Sequence, residues 1–290
     1  MSIITRNPQP DELSSLLYIW STVFGDTGRD SFFLHYFKPQ HCIIAESGGR
    51  PAAAGYLVPF GELRSVHDCC SCGMIYSVAT LPGYRGSGFG TAVVNGLISL
   101  ADKLDYSAVV LCPSEDKLFE YYDKRTDLRD WFYVNELSVK NDSLSKKAPK
   151  PVKLSAREYA ILRESFLSGL IHVKHNDNIF EYQSLLCDEC GGGFFRIDDC
   201  CAVVECDTQK RVIIKELLHS SVKNGNLSAV DITKTISSLS QFFAAEEYIV
   251  RFPSRAGEGR RFGMAVINEN FSPAKPEQND FSPWYGIAFD

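Results

Sequence analysis

Seven consecutive residues, Arg85-Gly86-Ser87-Gly88-Phe89-Gly90-Thr91, combine one cation, three alternating glycines and two hydroxyls. Glycine-rich backbone of this kind lets several amide N–H groups converge on one anion, and an arginine adds positive charge. The chemistry on offer is the holding of a phosphate or pyrophosphate. Three phosphate loops compete for the stretch. A Walker loop needs a lysine after its second glycine, and Phe89 stands there. The dinucleotide fingerprint Gly-x-Gly-x-x-Gly starts at Gly86 and Gly88, but Thr91 occupies its last position. The third pattern, Arg/Gln-x-x-Gly-x-Gly/Ala, is met in full by Arg85 to Gly90. An ordinary glycine turn ahead of a core helix is the plain alternative. Three glycines alone favour it; the arginine and the flanking elements favour the cradle.

Those flanking elements are legible. Ile75 to Thr80 is apolar and β-branched, as a buried strand requires. Leu81-Pro82-Gly83 ends it, because Pro82 has no N–H for a ladder. Val93, Val94, Leu97, Ile98, Ala101 and Leu104 then recur at helical spacing. The unit is strand, glycine loop, helix, with the helix dipole aimed at the loop.

This unit, with Val78-Ala79-Thr80-Leu81-Pro82 leading into it, resembles the fourth strand and coenzyme A loop of the GNAT superfamily of N-acetyltransferases. The resemblance implies acetyl-CoA as cosubstrate and no metal. Pantetheine would lie along the strand, against Val78, Ala79 and Thr80. The pyrophosphate would sit on Arg85, Gly86, Ser87, Gly88, Phe89 and Gly90, with Thr91 in the first helical turn. The implied reaction is direct attack of a primary amine on the thioester in a ternary complex, with a backbone N–H of Val78 or Ala79 stabilising the oxyanion. Tyr121-Tyr122-Asp123-Lys124 stands where family members carry Leu-Tyr-Glu-Lys, so Tyr122 aligns with the proton donor to the departing thiolate. Tyr121, one residue earlier, should point about 100° away. Ser114, after the next strand, is a lesser candidate for a hydrogen bond to pantetheine. No acid lies on Ile75 to Thr80 to serve as base; Glu62, His67 and Asp68 precede the strand.

Along the first half, helices are expected at Asp11 to Phe24, Asp30 to Phe37 and Glu115 to Lys124. Strands are expected at His41 to Glu46, Ala52 to Phe60, Ser107 to Cys112 and Trp131 to Val139. Asn141 to Pro151 is polar and lysine-rich, the best boundary. Beyond it, Ser155-Ala156-Arg157-Glu158 is a capping box opening a helix to about Ser168. Helices at Asp177 to Cys187 and Asp231 to Ala244 follow, with strands at Gly193 to Ile197, Cys201 to Cys206, Val212 to Leu218, Tyr248 to Phe252, Arg261 to Ile267 and Trp284 to Phe289. The element order of the two halves is alike, although their sequences are not. The expected fold is therefore α/β (α+β): two GNAT-like domains, each a mixed, mostly antiparallel sheet flanked by helices. Residues 1–140 carry the acetyl-CoA loop, 141–151 link, and 152–290 form a degenerate copy. The corresponding loop, His219 to Val230, has Asn224-Gly225-Asn226 and no cradle. The tandem order also resembles the mycobacterial enhanced-intracellular-survival acetyltransferases, whose terminal carboxylate enters the site; Asp290 is given no such role here.

The 290 residues carry a net charge of −6 and 44% hydrophobic residues. No basic tract marks a nucleic-acid partner, and no apolar run is long enough to cross a membrane. The first residues have no signal-peptide core, so the expected location is the cytoplasm and the ten cysteines read as reduced thiols. Cys69-Cys70-Ser71-Cys72 and Cys187-Asp188-Glu189-Cys190 lack the paired spacing of a zinc ribbon. The expected partner is a small-molecule or peptide amine. A non-catalytic acyl-CoA-binding module or sensor is the alternative from a different class. An aminoacyl-transferase built of two such halves would need a tRNA surface, which an acidic chain does not supply.

Overall fold

A computed structural model describes residues 2–141, 148–207, 210–220, 228–268 and 280–289. The elements in chain order are β1 Ile4–Arg6, α1 Leu13–Phe24, α2 Arg29–His35, β2 Cys42–Ser47, β3 Arg50–Arg64, β4 Cys69–Thr80, α3 Phe89–Lys103, β5 Ala108–Leu111, α4 Asp116–Asp123 and β6 Arg129–Lys140. They continue with β7 Val152–Leu154, α5 Ala156–Leu167, β8 His172–His175, α6 Asp177–Cys190, β9 Gly193–Ile197, β10 Cys200–Asp207, β11 Arg211–His219, α7 Ala229–Leu239, β12 Glu247–Pro253 and β13 Arg260–Ile267. The strand pairing is mixed and mostly antiparallel, with helices flanking the strands, as expected.

The chain forms two compact units: Met1–Gly61, Cys70–Asp130 and Gly263–Phe271 in the first, and Glu62–Cys69, Trp131–Phe262 and Ser272–Asp290 in the second. In the first, β1 pairs with β2 and β2 with β3, both antiparallel. β4 runs parallel to β5, and Met264 to Ile267 of β13 pairs antiparallel to β5. The periodicity of α3 explains its seat. Val93, Val94, Leu97, Ile98 and Ala101 are buried against Ala45, Ala53, Leu57, Ile75 and Val109 of the sheet. Each of the valine, leucine and isoleucine side chains contributes about 1.5–3 kcal/mol on burial. α1 and α2 carry a separate aromatic cluster: Trp20 stacks on Phe32 with centroids 5.2 Å apart, and Phe32 meets Tyr56 of β3 and Tyr76 of β4.

The second unit repeats the pairing scheme. β7, β9, β10 and β11 are antiparallel neighbours; β11 is parallel to β12, and β12 is antiparallel to β6. α5 starts as its capping box dictates: Ser155 Oγ accepts from Glu158 N, and Ser155 N donates to the Glu158 carboxylate at 2.8 Å.

Three short strands, β1, β7 and β8, were not legible in the sequence. The helix expected to reach Ala244 stops at Leu239. Trp284 to Phe289 is a correction: it is not a strand but an irregular segment with one bridge, between Trp284 and His172. Its apolar run reflects burial of a different kind. Glu216 of β11 is fully buried and accepts from Tyr159 Oη at 2.6 Å, Arg163 Nε at 2.9 Å and Trp284 Nε1 at 2.6 Å. Ile287 N donates to His175 Nε2. Gly286 is required where this segment crosses the cluster, because a Cβ there would lie 2.2 Å from Arg163 Nη2. The segment is thus held by a buried carboxylate and by close approach rather than by a ladder.

A stability consequence follows. Glu216→Ala leaves Glu164, at 3.0 Å, as the carboxylate partner of the fully buried Arg163 guanidinium, so the cost should approach the lower end of the range of about 3–5 kcal/mol for a broken buried pair. Urea titration should show that loss as a lower midpoint. The apolar double variant Arg163→Met/Glu216→Leu should recover most of it, since two desolvated charges disappear together. Recovery that fails would mean that Glu216 acts chiefly through Tyr159 and Trp284.

Thr208 and Gln209 of the Asp207-Thr208-Gln209-Lys210 turn expected between the strands Cys201 to Cys206 and Val212 to Leu218, most of the 141–151 linker, the loop at Asn224 and the Asp290 carboxylate lie outside the described residues.

Candidate active site

The ladder between β4 and β5 runs from Cys72 opposite Ala108 to Ile75 opposite Leu111 and then stops, although β4 continues to Thr80. Ser77 adopts a φ of +47°. A non-glycine residue in the left-handed region costs energy and breaks the alternation of the strand. From Tyr76 onward β4 therefore has backbone groups that β5 does not engage, while its other neighbour remains β3, to which Leu81 N still bonds at Ala52 O. This opening is the feature that positions the candidate residues.

Of these, Val78 is partly buried against the α3 side of the core, and Ala79 is buried. Thr80 ends the strand. Its Oγ1 would be 3.4 Å from a Cβ placed on Gly90, so the strand end and the helix start touch.

Arg85 to Gly88 form the turn, all exposed, and α3 begins at Phe89 with Gly88 as N-cap. Gly86 and Gly88 have φ of +77° and +90°, which explains two of the three glycines: an L side chain is strained there. No side chain caps the helix. Its first N–H groups, left over by helix geometry, are thus not covered from within the loop. Phe89 contributes only backbone, because its ring is 1% exposed and packs edge-on to Tyr84. Arg85 Nε donates to Thr80 O at 3.2 Å, which ties the arginine to the loop.

Tyr122 and Tyr121 divide as their helical offset predicts. Tyr122 is 7% exposed, within the core cluster beside Phe119, Ile75 and Leu111. Burial first, and then the neighbouring Tyr121, push its phenol up to about 12, so it is a protonated donor at neutral pH. Tyr121 points instead to the start of α3: its hydroxyl lies 2.7 Å from Thr91 Oγ1. The Thr91 hydroxyl is thus shared with Tyr121. Arg125, just past α4, places Cζ 4.6 Å from the Tyr121 ring centroid. From the sequence Tyr121 is only the residue that points away from Tyr122, and Arg125 is not singled out. Their i, i+4 spacing at the end of a helix was the available signal. Ser114 is exposed in the turn between β5 and α4.

The acids before the strand are engaged. Glu62 pairs with Arg64 at 2.8 Å, and the Asp68 carboxylate accepts from Cys69 N at 2.8 Å. His67 is exposed. Among the described residues no group of three or more His, Cys, Asp or Glu side chains is placed to hold a metal.

The site is thus framed by a parallel strand pair that parts at Ile75, a glycine turn and a helix start that no side chain caps. Residues 10–125 match the family model described as the acetyltransferase (GNAT) family. The matched segment, which bears the glycine loop, is similar to that family over about two fifths of the chain. No curated protein matches it. Solved structures show the same fold over nearly the whole chain. A GCN5-related N-acetyltransferase from Anabaena variabilis is 13% identical at a TM-score of 0.66, over 92% of this chain and 73% of that one. One from Kribbella flavida is 14% identical at 0.62, over 92% and 72%. A tandem GNAT protein from the clavulanic acid biosynthesis pathway is 12% identical at 0.53, over 92% and 98%.

Proposed function

We propose that this protein transfers an acetyl group from acetyl-CoA to a primary amine of a small molecule or peptide, by direct attack in a ternary complex. The observation that carries the reading is the parting of β4 from β5 beyond Ile75, beside an uncapped helix start. Pantetheine would lie along Val78, Ala79 and Thr80, within reach of Ser114. The pyrophosphate would sit on the amides of Arg85 to Gly90, with Thr91 at the edge.

The neutral amine adds to the thioester carbonyl, and its excess proton leaves to water. The oxyanion is met by the N–H of Val78 or Ala79. Collapse breaks the C–S bond, and Tyr122 gives its proton to the sulfur. We place residues 1–140 as the cofactor-bearing domain, 141–151 as linker and 152–290 as a copy that binds no cofactor. We place the protein in the cytoplasm. Among the described residues no helix is long and apolar enough to cross a membrane.

An amine panel assayed by release of free thiol tests the reading. Acetyl-CoA binding without turnover of any amine would replace it with the sensor reading, which the lack of an acid on β4 favours. The pH profile is a second check. Raising the pH deprotonates the acceptor, so the rate should rise. A phenol held near 12 stays protonated throughout the assay range, so no descending limb should appear below about pH 10. A fall between about pH 7 and 9 would point to a different acid.

A further inference from the structure

We propose that Arg125 binds the 3′-phosphate of coenzyme A, so that this protein discriminates the cofactor from its 3′-dephospho form. The inference rests on the cradle reading of Arg85 to Gly90.

Three observations carry it. First, Arg125 is fixed to α3 at both ends. Its guanidinium lies over the Tyr121 ring, whose hydroxyl bonds Thr91, and its carbonyl accepts from Asn95 Nδ2 at 3.4 Å. Thr91 and Asn95 are one turn apart on the same face of α3, the first of them at the edge of the cradle. Second, Arg125 has no carboxylate partner among the described residues. The cations next to it do: Lys124 pairs with Glu120 and Arg129 with Asp123. Arg85, the cation of the loop itself, is turned back to Thr80 O. Third, the chemistry of the site is matched. A guanidinium stacked on a ring keeps its in-plane N–H donors for a planar or tetrahedral oxyanion, and it is always charged. A phosphate monoester carries close to two negative charges at neutral pH. In coenzyme A that monoester stands on the same ribose as the pyrophosphate arm. A ligand seated on the amides of Gly86 to Gly90 therefore presents it one sugar away from the helix start, where the end of α4 packs. In an acidic chain, such a cation beside an anion cradle has a ready electrostatic role.

The experiment is calorimetric titration of the full chain with coenzyme A and with 3′-dephospho-coenzyme A. The wild type should bind coenzyme A on the order of tenfold more tightly, the size of one charge-assisted hydrogen bond discounted for exposure. Arg125→Ala should weaken coenzyme A by that factor and leave the dephospho form unchanged. Arg125→Lys should keep part of the preference as a point charge. Unchanged thermal midpoints would show that both variants are folded. If the wild type binds both ligands equally, or if Arg125→Ala weakens both alike, Arg125 is only a prop for Tyr121 and the proposal falls, while the acetyltransferase reading stands. If neither ligand binds, the cradle reading fails and this proposal with it.

Discussion

Tyr122→Phe should lower kcat for amine acetylation by about 10²–10⁴, the usual contribution of a general acid, and leave the KM for acetyl-CoA nearly unchanged. The ring is buried among Phe119, Ile75 and Leu111, so phenylalanine keeps the packing and only the hydroxyl is lost. Tyr121→Phe is the informative partner. Its hydroxyl lies against Thr91 rather than in the core. From the sequence it is a bystander whose variant stays close to wild type; the contact with Thr91 changes that expectation. Losing one neutral hydrogen bond at the cradle should raise the KM for acetyl-CoA roughly two- to tenfold with kcat preserved. Steady-state kinetics on the two variants should thus separate on different axes. Full turnover in Tyr122→Phe would transfer the acid role to water or to another group. A collapse of kcat in Tyr121→Phe instead would exchange the roles of the two tyrosines.

The wild type should bind one equivalent of coenzyme A, and Gly88→Glu should abolish that binding, a loss of roughly 100-fold or more. Two effects act together. Gly88 has a φ of +90°, where an L side chain costs about 1–2 kcal/mol. The new carboxylate would also stand at the helix N-cap, where the pyrophosphate needs the same N–H groups. Gly83 supplies the control. A Cβ there meets nothing within 4 Å, and its φ is not among the positive ones. Gly83→Ala should bind coenzyme A like the wild type. Calorimetry gives both answers. Retained affinity in Gly88→Glu would move the anion site away from the loop. A stoichiometry near two would give the second half a cofactor site of its own.

The local features of this protein were legible because short-range physics writes them. The 3.6-residue apolar period of α3, the β-branched run before it and the capping box at Ser155 each act over a few residues and appear where expected. The glycine loop was legible for the same reason: the αL positions at Gly86 and Gly88 are demands of the backbone itself. What tertiary structure alone decided is long-range. β5 takes β13 as its antiparallel neighbour, and β12 takes β6. Strand pairing across more than a hundred residues has no local signature, since either partner satisfies the same alternation of side chains. The strain at Ser77 is likewise silent in sequence, because serine carries no mark of a positive φ. The Trp284 to Phe289 run reads as a strand because burial alone sets its composition. Glu216 and Arg163, two charges that polarity would place at the surface, turn it instead into a segment held by side chains. The Tyr121 hydroxyl is the same lesson at the site. Helical offset separates it from Tyr122, but only the packing of α4 on α3 decides that it lands on Thr91.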